Sequence, residues 1–275
     1  MKKNSSKASI IVTTKNNENT IDSCLSSIKI QSYPNIELIV VDNNSKDSTK
    51  EIAKKFTKLV FNKGPERSAQ RNFGVSKSSG KFVMYIDSDQ ELEKNVIKEC
   101  VQACESKGFD AIVVEEDTVA KTYWSKVRAL ERQAYVGSEF IVAARFLKKS
   151  AFEKLKGFDE NLTGQEDSDL HNRLLSNGFK IGRRIKSIIH HHESDSLKDA
   201  ARTFYYYGNT WARYIKKHPD RAVQQYFSMR FLTYLQHWSI FARNPLLAAG
   251  FLVRKPVEYV SAILGVANSK IWGSK

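Results

Sequence analysis

From residue 8 to residue 116 short β-branched runs alternate with helix-patterned segments, and no other feature restricts the fold as strongly. "ASIIVTT" (8–14), "IELIVVD" (36–42), "KLVF" (58–61), "KFVMYI" (81–86) and "AIVVEE" (111–116) read as strands. Between them, Ile21, Leu25 and Ile28 fall on one helix face within 18–30. "TKEIAKKF" (49–56), "SAQRNFGVSKSSG" (68–80, closed by Gly80) and roughly 92–106 read as further helices. Strands alternating with helices imply βαβ units and a mainly parallel sheet. The fold class expected is α/β: a Rossmann-like, mostly parallel sheet flanked by helices. In such sheets ligands bind beyond the carboxyl ends of the strands. Polar clusters stand at three of those ends: Thr13–Asn16, Asp42–Asn44 and Asp87–Asp89.

The chemistry must come from these clusters without a glycine-rich phosphate cradle, because the first strand is followed neither by G-x-G-x-x-G nor by a Walker sequence. An anionic ligand held there calls for a cation. Asp87 and Asp89 supply the oxygen ligands that Mg²⁺ or Mn²⁺ prefers. The competing reading is a turn or helix cap, with Ser88-Asp89 opening a helix over "QELEKN". A second acidic pair, Glu166-Asp167, precedes "SDLHNRLL"; it serves either as a cap and first-turn charge favoured by the helix dipole or as a general base. "SIIHHH" (187–192) ends an apolar run in three histidines. On a strand His190 and His192 share one face and His191 the other, so His190 and His192 are the candidate ligands, the alternative being a polar loop packed under the tail helices.

Composition matters most in the tail. Residues 201–275 hold 11 Lys and Arg against 2 Asp and Glu, which is +9 of the chain's +14, and 15 of its 30 aromatic residues. A basic, aromatic segment suits an anionic membrane surface or nucleic acid. The charge follows no nucleic-acid-binding motif, so no nucleic acid is expected. The apolar pieces 245–253 and 257–267 are each too short to span a bilayer. They are expected to form an interfacial helical pair with Arg254 and Lys255 at headgroup level, the alternatives being a helical cap or a dimer contact. The N-terminus shows no apolar core before the first strand, so no signal peptide is expected. Cys24, Cys100 and Cys104 lack metal-type spacing and read as reduced core residues.

Taken in order, three stretches resemble family 2 glycosyltransferases with the type A glycosyltransferase fold. "SIIVTTKNNENTIDSCLSSIKIQSYPNIELIVVDNNSKDST" resembles their nucleotide-binding half. "GPERSAQRNFGVSKSSGKFVMYIDSDQ" resembles the segment ending in their D-x-D motif. "KGFDENLTGQEDSDLHNRLLSNGFKIG" resembles their acceptor-side motif. The resemblance covers about residues 8–192. It implies that Thr13, Lys15, Asn16 and Glu18 pack around a nucleoside, and that Asp42 and Asn43 recognise base and ribose, Asn43 standing where the family often has Asp. Arg67 and Arg71 would contact base or diphosphate. Asp87, Ser88 and Asp89 would hold the diphosphate and a divalent metal, with one of His190 and His192 as a further ligand. Asp167 would be the catalytic base, with Glu166 orienting it or the acceptor.

The implied activity is inverting, metal-dependent transfer from a nucleotide-diphosphate sugar to an acceptor hydroxyl or phosphate, in lipid-linked or cell-surface glycan synthesis on the cytoplasmic side. The expected organisation is a flexible 1–7, a catalytic domain over 8–198 (nucleotide-binding 8–90, acceptor-side 91–198) and a helical extension over 199–275. The rivals are a nucleotidyltransferase on a similar sheet, which would want a glycine-rich basic signature that "TTKNNEN" lacks, and a basic nucleic-acid-binding protein.

Overall fold

The computed structural model describes residues 5–138, 141–183, 185–192 and 196–272; most of the expected N-terminal tail, residues 1–4, lies outside them. Among the described residues there are ten strands: β1 (Ala8–Thr14), β2 (Ile36–Asp42), β3 (Val60–Asn62), β4 (Phe82–Asp87), β5 (Gln90–Leu92), β6 (Ala111–Ile112), β7 (Glu116–Thr118), β8 (Phe146–Lys148), β9 (Ile181–Gly182) and β10 (Ile189–His191). The main sheet has seven strands in the order β3-β2-β1-β4-β8-β6-β9. β1 pairs in parallel with β2 and β4, β2 with β3, and β6 with β9, while β8 runs antiparallel between β4 and β6. Every residue of β1 is buried, Ser9, Thr13 and Thr14 included, as befits a central strand covered on both faces.

The helices covering this sheet follow their apolar spacing. α1 (Ile21–Lys29) buries Ile21, Cys24, Leu25 and Ile28. α2 (Thr49–Phe56), α3 (Arg67–Lys77) and α4 (Val96–Lys107) complete the first half. α3 stops at Lys77, because Ser78 turns extended before Gly80 is reached. It crosses the strands so closely that a Cβ on Gly74 would lie 2.4 Å from the Ile11 side chain. That approach brings Arg71, one turn earlier, to the strand ends. The run 111–116 is broken after Ile112, and the next strand, β7, begins at Glu116. All three cysteines are free and buried.

Later come α5 (Tyr123–Tyr135), α6 (Lys149–Lys154), α7 (Glu166–Ser176), α8 (Leu197–Lys217), α9 (Pro219–Val223), a π-helical turn (Gln224–Ser228), α10 (Met229–Gln236), α11 (Trp238–Ala242) and α12 (Pro245–Trp272). The chain forms two compact units. One comprises Met1–Glu116, Ala143–Glu160 and Leu170–His191; the other comprises Asp117–Val142, Asn161–Asp169 and His192–Lys275. They interleave along the chain, whereas the expected parts, 8–198 with its halves 8–90 and 91–198 and the extension 199–275, are each continuous. The reason is α5, which the tail claims. Tyr123 Oη donates to the Leu246 carbonyl at 2.7 Å, and Lys255 Nζ lies 2.6 Å from Glu131.

The tail differs from its expected form in two respects. α12 is one helix of 28 residues that runs through Pro256, not a pair broken there. The ring sits on the exposed side, and the carbonyl it deprives of a partner belongs to Leu252, also exposed, where water can bond it. Arg254 and Lys255 do not face outward. They are buried with Glu258, Arg254 Nε donating to Glu258 at 2.6 Å. α8 and α12 pack at backbone distance through glycine, since a Cβ on Gly208 would meet the Ala262 carbonyl oxygen at 2.1 Å and one on Gly265 the Tyr205 carbonyl oxygen at 2.1 Å.

Glu131 sits inside this helical unit. Burial disfavours its charge, but Lys255, Arg128 and Arg230 outweigh burial and hold the carboxyl well below its ordinary 4.5. A depressed folded value means that the stabilisation is present above the ordinary carboxylate range and is lost as pH falls through the folded value. The thermal midpoint should therefore be level from about pH 7 to 5 and fall below about pH 4. Glu131→Gln should start lower by about 3 kcal/mol, its cations left uncompensated, and fall less steeply. Parallel pH profiles of the two proteins in circular dichroism melts would contradict this role for Glu131.

Candidate functional site

β1 lies between β2 and β4, so the polar ends of three parallel strands meet. Thr13 is in register with Asp87, and Thr14 with Asp42. Asp42 is fully buried and accepts from the Ser45 N–H at 2.9 Å and from its hydroxyl. The Asn43 N–H donates to the Thr14 carbonyl at 2.9 Å, and its amide nitrogen donates to the Pro65 carbonyl at 2.5 Å. The loop after β1 is laced to the loop after β2. The Asn16 N–H donates to Ser45 Oγ at 2.8 Å, and Asn16 Oδ1 accepts from the Lys46 N–H at 2.9 Å. Glu18 accepts from the Ser48 N–H at 3.0 Å. Asn16 and Asn44 both hold φ of 52°, a left-handed turn that Asn tolerates. Lys15 is exposed.

At the end of β4 the two acids have different surroundings. Asp87 accepts from Thr13 Oγ1 at 3.1 Å and from Arg71 Nη2 at 2.8 Å, with Arg67 Nη1 at 3.9 Å from its second oxygen. Arg71 is 1% exposed, and its guanidinium lies 4.8 Å from the Tyr85 ring centre and 5.3 Å from that of Phe158. Burial alone would raise the Asp87 carboxyl, but Arg71, Arg67, Arg145 and His191 hold it far below the usual carboxylate range. Ser88 is buried and accepts from the Asn17 amide at 2.5 Å. Asp89 is otherwise: its Oδ1 is buried without a hydrogen-bond partner, and its Oδ2 faces His191 Nε2 at 3.5 Å. Ser88-Asp89 opens no helix; β5 begins at Gln90, whose side chain accepts from the Asp87 N–H at 3.0 Å.

The histidine that faces Asp89 is His191, beside the expected candidates His190 and His192. β10 pairs with β5 so that His191 stands opposite Gln90 and His190 opposite Glu91. His191 faces Asp89 on one side and Glu116 on the other, its Nδ1 3.4 Å from Glu116 Oε2. His190 points elsewhere, to Glu93 at 3.4 Å. His192 follows β10 and belongs to the helical unit. Arg145 pairs with Glu116 and adds to the positive charge around Asp87. Neither His191, Glu116 nor Arg145 is singled out by sequence pattern. The one signal for His191 is its odd position in the alternation, which needs the strand's pairing to be read.

Could these residues hold a divalent ion? A buried carboxylate oxygen with no donor is what an incoming cation would satisfy, and Asp89 offers one. Among the described residues no three His, Cys, Asp or Glu converge on one point, so an ion would complete its shell with ligand oxygens and water. Asp87, already bonded to Arg71 and Thr13, is less available.

Glu166 and Asp167 begin α7 within the helical unit, Glu166 buried and Asp167 half-buried. The Ser168 N–H donates to Asp167 Oδ1 at 2.7 Å. The first turn is fixed from below by Asp169, fully buried and met by Lys217 Nζ at 2.7 Å and His218 Nε2 at 2.8 Å. All three acids stand in the first turn of α7.

Comparison with known proteins bears on the family and the fold. The model of the family described as "Glycosyl transferase family 2" matches residues 9–162. A GalNAc(5)-diNAcBac-PP-undecaprenol beta-1,3-glucosyltransferase of Campylobacter jejuni is 26% identical over 66% of this chain and 63% of its own length. The minor teichoic acid biosynthesis protein GgaA of Bacillus subtilis is 27% identical over 70% of this chain and 49% of its own. The chain thus spans less than two thirds of either relative. Among solved structures, a mannosyltransferase of Pyrobaculum calidifontis in complex with GDP-Man and Mn²⁺ superposes with a TM-score of 0.64 at 17% identity, over 98% of this chain and 88% of that one. S. aureus TarS in complex with UDP-GlcNAc gives 0.56 at 19% identity, over 74% and 65%.

Proposed function

The chain belongs to glycosyl transferase family 2, and we propose that it is an inverting, metal-dependent glycosyltransferase. It takes a nucleotide-diphosphate sugar and glycosylates a hydroxyl or phosphate of a lipid-linked or cell-surface glycan. The observation that carries this reading is Asp89, an acid with an orphaned buried oxygen at the carboxyl end of β4, beside an Asp87 whose charge is already matched by Arg71. Thr13, Lys15, Asn16 and Glu18 enclose the nucleoside, with Asp42 and Asn43 at its base and ribose. Arg67, the more exposed arginine beside Asp87, and the Ser88 turn meet the diphosphate. Arg71 serves as a positioning residue, holding Asp87. Asp89 would hold a Mg²⁺ or Mn²⁺ ion, which would supply Lewis-acid neutralisation of the leaving diphosphate. His191 takes the place beside Asp89 that the sequence gives to His190 or His192.

The acceptor oxygen forms its bond to the anomeric carbon as the bond to the diphosphate oxygen breaks on the opposite face, and the configuration inverts. The acceptor's proton passes to Asp167, and the electron pair of the broken bond leaves on the nucleoside diphosphate. Glu166 orients Asp167 or the acceptor. Relatives named for undecaprenol-linked glycan and teichoic acid synthesis support a lipid-linked or cell-surface acceptor, and work at the cytoplasmic face belongs to the same proposal. Among the described residues no helix is long and apolar enough to cross a membrane.

A thermal-shift panel of UDP, GDP, CDP and dTDP sugars with and without Mn²⁺ tests the reading. One nucleotide should raise the midpoint in a metal-dependent way, by about 2.7 kcal/mol of stabilisation at a hundredfold excess over Kd. Asp89→Ala should remove the metal-dependent part. No response to any sugar nucleotide, with no transfer from any, would reject the reading.

A further inference from the structure

α12 is built inside out. A helix on a protein surface normally turns its charges to water and its apolar stripe to the core. Here Arg254, Lys255 and Glu258 face inward, at 3%, 9% and 1% exposure. The outward positions recur every three or four residues, at 246, 249, 253, 256, 260, 263 and 267, and each is apolar or proline. Leu246 is 80% exposed, Val253 53%, Val260 55%, Ile263 60% and Leu264 56%. α10 and α11 extend the surface with Phe231, Leu235 and Trp238, the last 65% exposed. An apolar surface of this continuity marks an interaction site and not the scattered exposure of an ordinary monomer.

The charge on the same segment selects the occupant. Between Met229 and Trp272 the only acidic residue is Glu258, which is buried, whereas Arg243 is exposed at the corner between Trp238 and Leu246. Two copies of this face would bring like charges together. Anionic headgroups above a hydrocarbon layer complement both its sign and its apolarity. We propose that the outward face of α10–α12 lies in the interface of an anionic lipid bilayer. The α12 stripe enters the acyl boundary, and Trp238 and Arg243 sit at headgroup level. The buried Arg254 and Lys255 take no part in this contact. The inference goes beyond the transfer reaction and is read without donor or acceptor, so the failure of either leaves the other standing.

The test is co-sedimentation of the full chain with phosphatidylcholine vesicles, with and without phosphatidylglycerol. Binding should be strongest with phosphatidylglycerol and weakened by salt. Combining Leu246→Asp, Val253→Asp and Ile263→Asp should lower partitioning at least about tenfold, with an unchanged circular dichroism spectrum. Arg243→Glu, which leaves the stripe and the fold alone, should cost about fivefold on anionic vesicles and decides the matter should the triple variant not fold. No sedimentation with phosphatidylglycerol vesicles overturns the proposal, as does undiminished binding by the folded triple variant or by Arg243→Glu. A dimer in light scattering that the triple variant dissociates overturns it too, and assigns the face to a second copy.

Discussion

Asp167→Asn should lower the rate of nucleoside diphosphate release in the presence of acceptor by about a thousandfold, with the Kd of the donor changed less than about twofold. The substitution keeps shape. An asparagine oxygen still accepts from the Ser168 N–H, now bonded to Asp167 Oδ1 at 2.7 Å, so the first turn of α7 stays formed. What is lost is a group that can take a proton while the acceptor oxygen attacks. Donor binding falls to strand-end residues of the other unit in our reading, so it should not follow. Glu166→Gln should cost less, about tenfold, because it acts through orientation. Asp169→Asn offers a contrast. Asp169 is fully buried against Lys217 and His218, so its loss should lower the melting midpoint as well as the rate. A rate for Asp167→Asn within about tenfold of the unsubstituted protein would remove Asp167 from the role of base.

Residues 8–116 were legible because both faces of the sheet are covered. The centre of β1 (Ile10–Val12) and β4 up to Ile86 are apolar without alternation, and α1 shows one clean helical face. The strand ends that meet, Thr13, Asp42 and Asp87, follow from parallel pairing alone. What sequence could not supply is register. Alternation correctly opposes His191 to His190 and His192, yet which face meets Asp89 depends on His191 pairing with Gln90, a contact of two segments about a hundred residues apart. Arg145 and Glu116 were missed for the same reason, since neither carries a local pattern. The tail misled in the opposite direction. Arg254 and Lys255 look like a surface pair in sequence, but Glu131, from a helix more than a hundred residues earlier, and Glu258 draw them inward. Glu131 is too distant from Lys255 to leave a periodic trace, and the i, i+4 spacing of Arg254 and Glu258 does not say which side of the helix is buried.

The two acids of "DSD" should separate stability from function. Asp87→Ala leaves Arg71 buried at 1% exposure with its main counter-charge gone. Removing one member of a buried pair costs about 3 kcal/mol or more, and the Tyr85 and Phe158 faces that still meet the guanidinium offset about 1 kcal/mol at most. The midpoint should drop by roughly 6 °C, at about 2–4 °C per kcal/mol for a chain of this size. Asp89→Ala removes a carboxylate whose Oδ1 has no hydrogen-bond partner among the described residues and whose Oδ2 faces His191 at 3.5 Å. Taking away an unsatisfied buried acceptor is close to neutral or stabilising, so its midpoint should stay within about 2 °C of the unsubstituted protein or rise. Yet Asp89→Ala is the variant that should lose every Mn²⁺-dependent response to nucleotide. Natural proteins tolerate an unpaired buried oxygen where a ligand completes it, and such a group relaxes the structure when deleted while abolishing the ligand's effect. Equal melting losses in the two variants would mean that both acids are structural. An Asp87→Ala protein as stable as the original would mean that Arg71 finds its counter-charge elsewhere.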